Sequence, residues 1–448
     1  MTAGHEMKPD LRMHFNALMD HTLRQLIGAE QLAAWLDAES SDFVRFNHAR
    51  VRQAGHAWQA QLHVQLIDAG RHATHMVNLT GHADTDHARI DTALTTLRLI
   101  VACTPPDPHL LLSESSESIV DIDDDRLPDP RHALEVLFDA AGDADLVGIW
   151  ASGPVHAGFA SSWGQRSFHS RHMYHLDFSV HAGGDKAVKA DDAGFVFDAE
   201  VLRSKIAQSV TRLALVQRPA RAIDPGVYRA WLSPTALSEV VGLLAWDSFG
   251  LKSQRTRQSA LQRLVDGAGR LSPLVHLTES PGAGVAPRFG RAGFHRPAEV
   301  PLISAGLHAG SLVSPRSAQE YGVETTGGGE APTSLAMQAG ALAEQDVLQR
   351  LGTGIWIGNL WYTNWSDRPA GRLTGMTRFA TFWVEDGEVV APLSVMRFDD
   401  SLERMLGSQL EALGAEAPLQ LSGDTYERRS TSSVRLPGAL LREIRFTL

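Results

Sequence analysis

The stretch TGMTRFATFWVEDGEVV, residues 374–390, leaves the chain little local choice of fold. An Asp-Gly pair, Asp386-Gly387, separates two runs rich in Thr, Val and aromatic side chains. Asp-Gly supplies the left-handed backbone of a two-residue hairpin turn, and β-branched and aromatic residues suit a pleated surface. The pattern predicts two antiparallel strands, with Phe382 and Val384 on one face and Trp383 on the other.

The chain around this hairpin has 448 residues. At roughly 100–200 residues per domain, that is room for two or three. Its 43% hydrophobic and 21% charged content suit a soluble globular protein with a substantial core. A net charge of −11 argues against a nucleic-acid-coating surface and leaves only a local basic patch, such as Arg255 and Arg257. Cys103 is the only cysteine, so neither an intrachain disulfide nor a Cys-rich zinc site can form. MTAGHEMKPDLRMHF has no apolar leader core, and no run of 18 apolar residues occurs, so a cytoplasmic protein is expected.

Along the chain, Phe15, Leu18, Leu23 and Leu26 recur at helical spacing. With a break at Gly28, Leu32 and Leu36 extend the reading to a helix over 11–38. FVRFNHARVRQAG (43–55) reads as a strand and turn, and Leu62, Val64 and Leu66 alternate into a hairpin closed by DAGR. Ile90, Leu94, Leu97 and Val101 share a helix face that TPPDP (104–108) ends. The acidic segment 113–130 reads as a loop whose Asp129 caps the next helix. Two strands are expected on either side of SGP (152–154), a long strand at 172–181 and a helix near 199–216. QRPARAIDPG (217–226) is the expected domain boundary. The fold class predicted is α+β, with an N-terminal α/β domain carrying antiparallel hairpins (1–220) and a strand-rich C-terminal domain (221–448). The second domain should open with an amphipathic helix at 234–246 and a further one at 256–266.

Candidate chemistry is sparse. HSRHMYHLDFSVH carries His169, His172, His175 and His181, and His175, Asp177 and His181 share a strand face that could offer metal ligands. Tyr174, Leu176, Phe178 and Val180 alternate as an inward face, which places those polar residues on an outward, solvated one. GxSxG is absent, and TTGGGEAPTS lacks the spacing of a phosphate loop. Cys103, at the end of its helix, reads as a buried structural thiol. Trp356, Trp361, Arg378, Phe382 and Trp383 are candidates for a peptide groove or an interface, where an extended ligand adds to a sheet edge.

GTGIWIGNLWYTNWSDRPAGRLTGMTRFATFWVEDGEVVAPLSVMRF (352–398) resembles the C-terminal signature of the TldD/PmbA family, the "modulator of DNA gyrase" metallopeptidases. The matching residues are Gly352 and Gly354, Thr374-Gly375, Arg378, Phe382 to Val384, Glu385 to Glu388 and Pro392. FVRFNHARVRQAG, DPGVYRAWLSPTALSEVVGLL, PLISAGLHAGSLVSPRSAQEYG and PTSLAMQAG are similar to further family segments, in order, so the resemblance covers most of the chain.

The resemblance implies a mechanism and a departure from it. Catalytic members carry His-Glu-x-x-x-His on the helix opening the C-terminal domain. Two imidazoles hold zinc there, and the Glu takes a proton from the metal-bound water. In this chain the motif falls on SEVVGL: Glu239 matches, but Ser238 and Leu243 replace both histidines, and the C-terminal tail has no Cys. The expectation is a TldE/PmbA-like subunit with no catalytic residue and no cofactor of its own. Zinc is expected in a TldD-like partner, in a heterodimer acting on unfolded or extended peptides. A homodimer, a stand-alone hydrolase using His172, His175, Asp177 or His181, and a regulatory binding protein of the gyrase-modulator kind are the alternatives.

Overall fold

A computed structural model describes residues 10–183 and 186–447. Residues 1–9, part of the start read above as leaderless, lie outside the described residues. Among the described residues the strands form three sheets, and the fold is α+β.

The first sheet is built from hairpins. β1 (Gln31–Asn47), β2 (Arg50–Asp68) and β3 (Arg71–Leu79) form a meander. The DAGR turn closes β2 onto β3, with Ala69 and Gly70 at φ 48° and 74°. On its other side β1 pairs with β5 (Asp145–Ser161), and β5 with β6 (Arg166–His181). The short β4 (Val120–Ile122) and β7 (Ala187–Gly194) both pair with β6.

Helices α1 (Leu11–Leu23) and α2 (Ala83–Cys103) cover one half of a single face. Phe15, Leu18, Ile90, Leu94 and Leu97 pack there on Leu32, Leu36, Leu62 and Val64. Helices α3 (Pro130–Ala141) and α4 (Ala199–Val216) pack Leu134, Leu137, Leu202 and Ile206 on Tyr174, Leu176, Phe178 and Val180. Asp129 caps α3 by accepting from the Arg131 N–H, as its position predicts.

A second sheet has the order β11 (Leu307–His308), β10 (Val300–Ser304), β9 (Leu277–Glu279), β12 (Ser334–Met337), β19 (Ser433–Arg435), β18 (Leu419–Leu421). In the third, β13 (Gly354–Asp367), β8 (Gly226–Leu232), β20 (Ala439–Phe446), β16 (Arg397–Ser401) and β14 (Arg372–Glu385) pair in that order. Pairing of β13 with β14 closes these strands into a ring. β15 (Glu388–Pro392) extends β14 across the Asp386-Gly387 turn, whose φ values of 51° and 83° are those of the expected hairpin. Inside the ring lies a core of Ile355, Ile357, Phe398, Leu441 and Phe446, against which α5 (Pro234–Leu244) packs. No helix among the described residues is long and apolar enough to cross a membrane.

Several local expectations need correction. Residues 31–38 are strand: Leu32, Ala34, Leu36 and Ala38 face the helices, while Ala33 and Trp35 face a second apolar cluster. A strand covered on both faces is apolar at nearly every position, and such a run contains helical spacings by default. SGP does not separate two strands. Gly153, at φ 125°, and Pro154 drop out of pairing with β1, and β5 then resumes in the same register. Of the helix expected at 256–266 only a single turn, α7 (Gln262–Val265), forms, and a separate short helix, α6 (Leu251–Arg255), precedes that range. The segment 113–130 is a loop except for β4. Cys103 is exposed.

Candidate functional site

Helix α5 is built for burial on one side. Ser233 caps it by accepting from the Ala236 N–H at 3.1 Å, and Pro234 takes the first turn, where its missing N–H costs nothing. Ala236, Leu237, Val240, Val241, Leu243 and Leu244 are buried. Leu243 is 3% exposed and sits in the core of the C-terminal ring. Ser238 donates its hydroxyl to the Thr235 carbonyl one turn back, at 2.8 Å. Glu239 is exposed and accepts from the Thr363 hydroxyl at 3.1 Å. The positions that a metallopeptidase would fill with imidazoles therefore hold an internally bonded hydroxyl and a core leucine. They do not fit zinc.

The histidines of β6 are dispersed along the strand. His175 and His181 lie six residues apart, about 20 Å along a strand, whereas zinc ligands sit about 2 Å from the ion. Asp177 pairs with Lys189 at 2.9 Å, and His172 with Asp123 at 3.0 Å. His175 is not solvated: it is 7% exposed beneath the C-terminal tail, where a side chain on Gly423 would begin 3.3 Å from its ring. Burial holds its pKa below the usual imidazole value. Among the described residues no group of three or more His, Cys, Asp or Glu is arranged to hold a metal ion.

A cavity of about 600 Å³ lies between α4 and β7 on one side and β13, β14 and the start of α5 on the other. Val201, Leu215, Trp356, Phe382 and Val389 supply apolar wall, and Ser233, Pro234 and Thr235 bring the first turn of α5 to it. Phe382 and Ala380 also join the core beneath α3 and α4, so the ring of strands is welded to the first sheet at this point. The rings of Trp356 and Phe382 are 5.8 Å apart, and the Arg212 guanidinium lies 4.8 Å over Trp356. At the β7 end, Lys205 bonds the Asp192 carboxylate at 2.6 Å and the Asp191 carbonyl at 3.2 Å, and Tyr174 donates to Asp192 at 2.7 Å. Burial and the Asp192 charge raise the Tyr174 pKa.

The five aromatic and basic candidates therefore divide. Trp356 and Phe382 meet in the cavity. Trp383 points to the opposite face of β14, where it meets Tyr228, lies under Arg221 and donates to Glu385 at 2.6 Å. Arg378 lies 4.7 Å over Trp361 at the surface, beside Tyr362, which is 75% exposed. Arg212 and Asp191 carry no sequence signal: each reads locally as the polar position of an amphipathic element, and only the tertiary fold sets them opposite Trp356.

Comparison with known proteins agrees with this architecture. The PmbA/TldA metallopeptidase C-terminal domain matches residues 225–448. The fold is similar to that of TldE from Thermococcus kodakarensis, with TM-score 0.76, 14% identity, and coverage of 97% of this chain and 100% of that one. It is also similar to a protein described as a candidate DNA gyrase modulator from Thermotoga maritima, with TM-score 0.75, 13% identity and coverage of 98% and 100%. A candidate modulator of DNA gyrase from Bacteroides thetaiotaomicron gives TM-score 0.75, 16% identity and coverage of 97% and 98%. At these identities the likeness shows the fold alone. No curated protein sequence matches the chain.

Proposed function

The chain belongs to the TldD/PmbA metallopeptidase family, and within it we propose that this chain is a non-catalytic subunit of the TldE/PmbA type. It pairs with a TldD-like subunit that carries the zinc, and the two act on unfolded or extended peptides. The observation that carries this reading is the side chain at position 243. A leucine 3% exposed in the core cannot ligate a metal, and Ser238, bonded to its own helix, leaves Glu239 with no metal-bound water to deprotonate. Exposed Trp361 and Tyr362, with Arg378 stacked on Trp361, have the composition of an interface core and support assigning that surface to the partner.

Reconstitution tests the reading. The purified chain, a TldD-like protein with intact His-Glu-x-x-x-His, and their mixture are assayed on an unfolded polypeptide. Hydrolysis is expected from the mixture and not from this chain alone. Cleavage by this chain alone, at the rate of the mixture, would overturn it.

A further inference from the structure

Three polar groups at the cavity wall are left without a hydrogen-bond partner. Arg212 donates no side-chain hydrogen bond among the described residues, and its one ion pair is with Glu344 at 3.9 Å, a carboxylate 69% exposed. Burial holds its pKa below the ordinary guanidinium value, the sign of a charge that its surroundings compensate poorly. The Asp191 carboxylate accepts no hydrogen bond among the described residues, and burial raises its pKa. The side-chain nitrogen of Gln420 is buried and unpartnered. Their neighbours differ: Lys189 is paired with Asp177 and Lys205 with Asp192. The Gln420 nitrogen is a buried group left unsatisfied, which is unusual, while the Arg212 guanidinium, 34% exposed, and the half-buried Asp191 carboxylate face the same cavity with hydrogen-bonding capacity to spare, so the three mark the places a ligand's polar atoms would take.

The spacing constrains that ligand. Lys205 touches Asp191, and Arg212 lies seven residues further along α4, on the same face and about 10 Å away. An extended peptide advances about 3.3 Å per residue, so about three residues span the two ends. Trp356 and Phe382 form an apolar shelf beside Arg212, and a cavity of about 600 Å³ lies within the usual range for ligand sites.

We propose that this cavity binds the carboxyl-terminal end of a short peptide. The terminal carboxylate pairs with Arg212, the terminal apolar or aromatic side chain rests on Trp356 and Phe382, and a backbone N–H two residues back donates to Asp191. The proposal rests on the reading of this chain as a peptide-handling subunit, but not on the loss of zinc. It is tested on the full chain without a catalytic partner, so its failure and the failure of partner-dependent hydrolysis are separate results.

Calorimetric titration of the full chain with Ala-Ala-Phe, its carboxyl-terminal amide and 3-phenylpropionate provides the test. The free-acid tripeptide is expected to bind, the amide at least tenfold more weakly, and 3-phenylpropionate more weakly than the tripeptide. Arg212→Met should lower tripeptide affinity at least tenfold, with Arg212→Lys retaining part of it. Equal binding of acid and amide, no binding of the acid at millimolar concentration, or unchanged affinity in a folded Arg212→Met chain would overturn the proposal. So would 3-phenylpropionate binding as tightly as the tripeptide, which would assign the site to small aromatic acids. The acid–amide comparison uses only the unaltered chain, so it decides even if the variant does not fold.

Discussion

Two neighbouring positions on α5 separate a degenerate site from a hidden one. Leu243 fills core and Glu239 meets solvent, so truncating each should have very unequal consequences. Leu243→Ala should cost about 2–5 kcal/mol, the lost transfer free energy plus a cavity. Glu239→Ala should stay within about 0.5 kcal/mol, because it removes one exposed hydrogen bond to Thr363. Urea unfolding of both variants checks this; equal losses would mean that the helix face is misassigned. The identity of these residues was legible in the sequence, because alignment to a motif needs only order. The fate of His175 was not. Alternation put it on the far face of β6 correctly, but whether that face meets water depends on the tail, some 250 residues later in the chain.

At the scale of elements, local chemistry was legible where one turn or cap decides the outcome. Asp386-Gly387 and DAGR closed the hairpins they predicted, because a positive φ at two successive residues is a property of those residues alone. Residues 31–38 were not legible, since burial on both faces erases the period that separates strand from helix. The docking of α1 and α2 rests on a contact between distant residues. The Asp86 carboxylate is 0% exposed and accepts from the Thr80 and Gly81 N–H groups, from the Thr80 hydroxyl and from His14. Burial alone would raise its pKa, but these donors outweigh burial and hold it below the usual value. A depressed folded pKa gives stability that is present above the unfolded value of about 3.9 and lost as pH falls through the folded one. Asp86→Asn should therefore cost about 1–3 kcal/mol near neutrality, and its deficit against the unaltered chain should shrink below about pH 4. Urea unfolding at pH 7 and pH 3 measures it; a deficit independent of pH would contradict the assignment.

For the whole molecule, the two sequence halves are held together by several contacts, Phe289 against Trp35 and Phe159 among them, and two bear on the site and the tail. One is the cavity wall, where Phe382 and Ala380 join the core beneath α4. The other is the C-terminal tail, which crosses the first sheet and inserts Arg429. Its guanidinium, 5% exposed as a residue, donates to the Gly153 carbonyl at 3.0 Å, the Met173 carbonyl at 2.7 Å and the Ser41 hydroxyl at 3.3 Å. Burial lowers its pKa to about 10, so it remains charged at neutral pH, with Glu39 nearby in compensation. Arg429→Met should orphan these acceptors and cost about 2–4 kcal/mol, and it should expose the tail to limited proteolysis before global unfolding. Unchanged protease resistance and stability would show that the tail is not a latch. None of this tail contact was legible in the sequence, where DTYERRSTSS reads as a polar segment without periodicity.

The central claim is that this chain has the scaffold of a zinc peptidase without its zinc centre, and metal content tests it most directly. The full chain, purified, incubated with excess zinc and dialysed against buffer, should retain far less than one equivalent by plasma mass spectrometry, and Glu239→Gln should not alter that figure. Close to one zinc per chain, reduced by Glu239→Gln or by replacing the β6 histidines, would contradict the account.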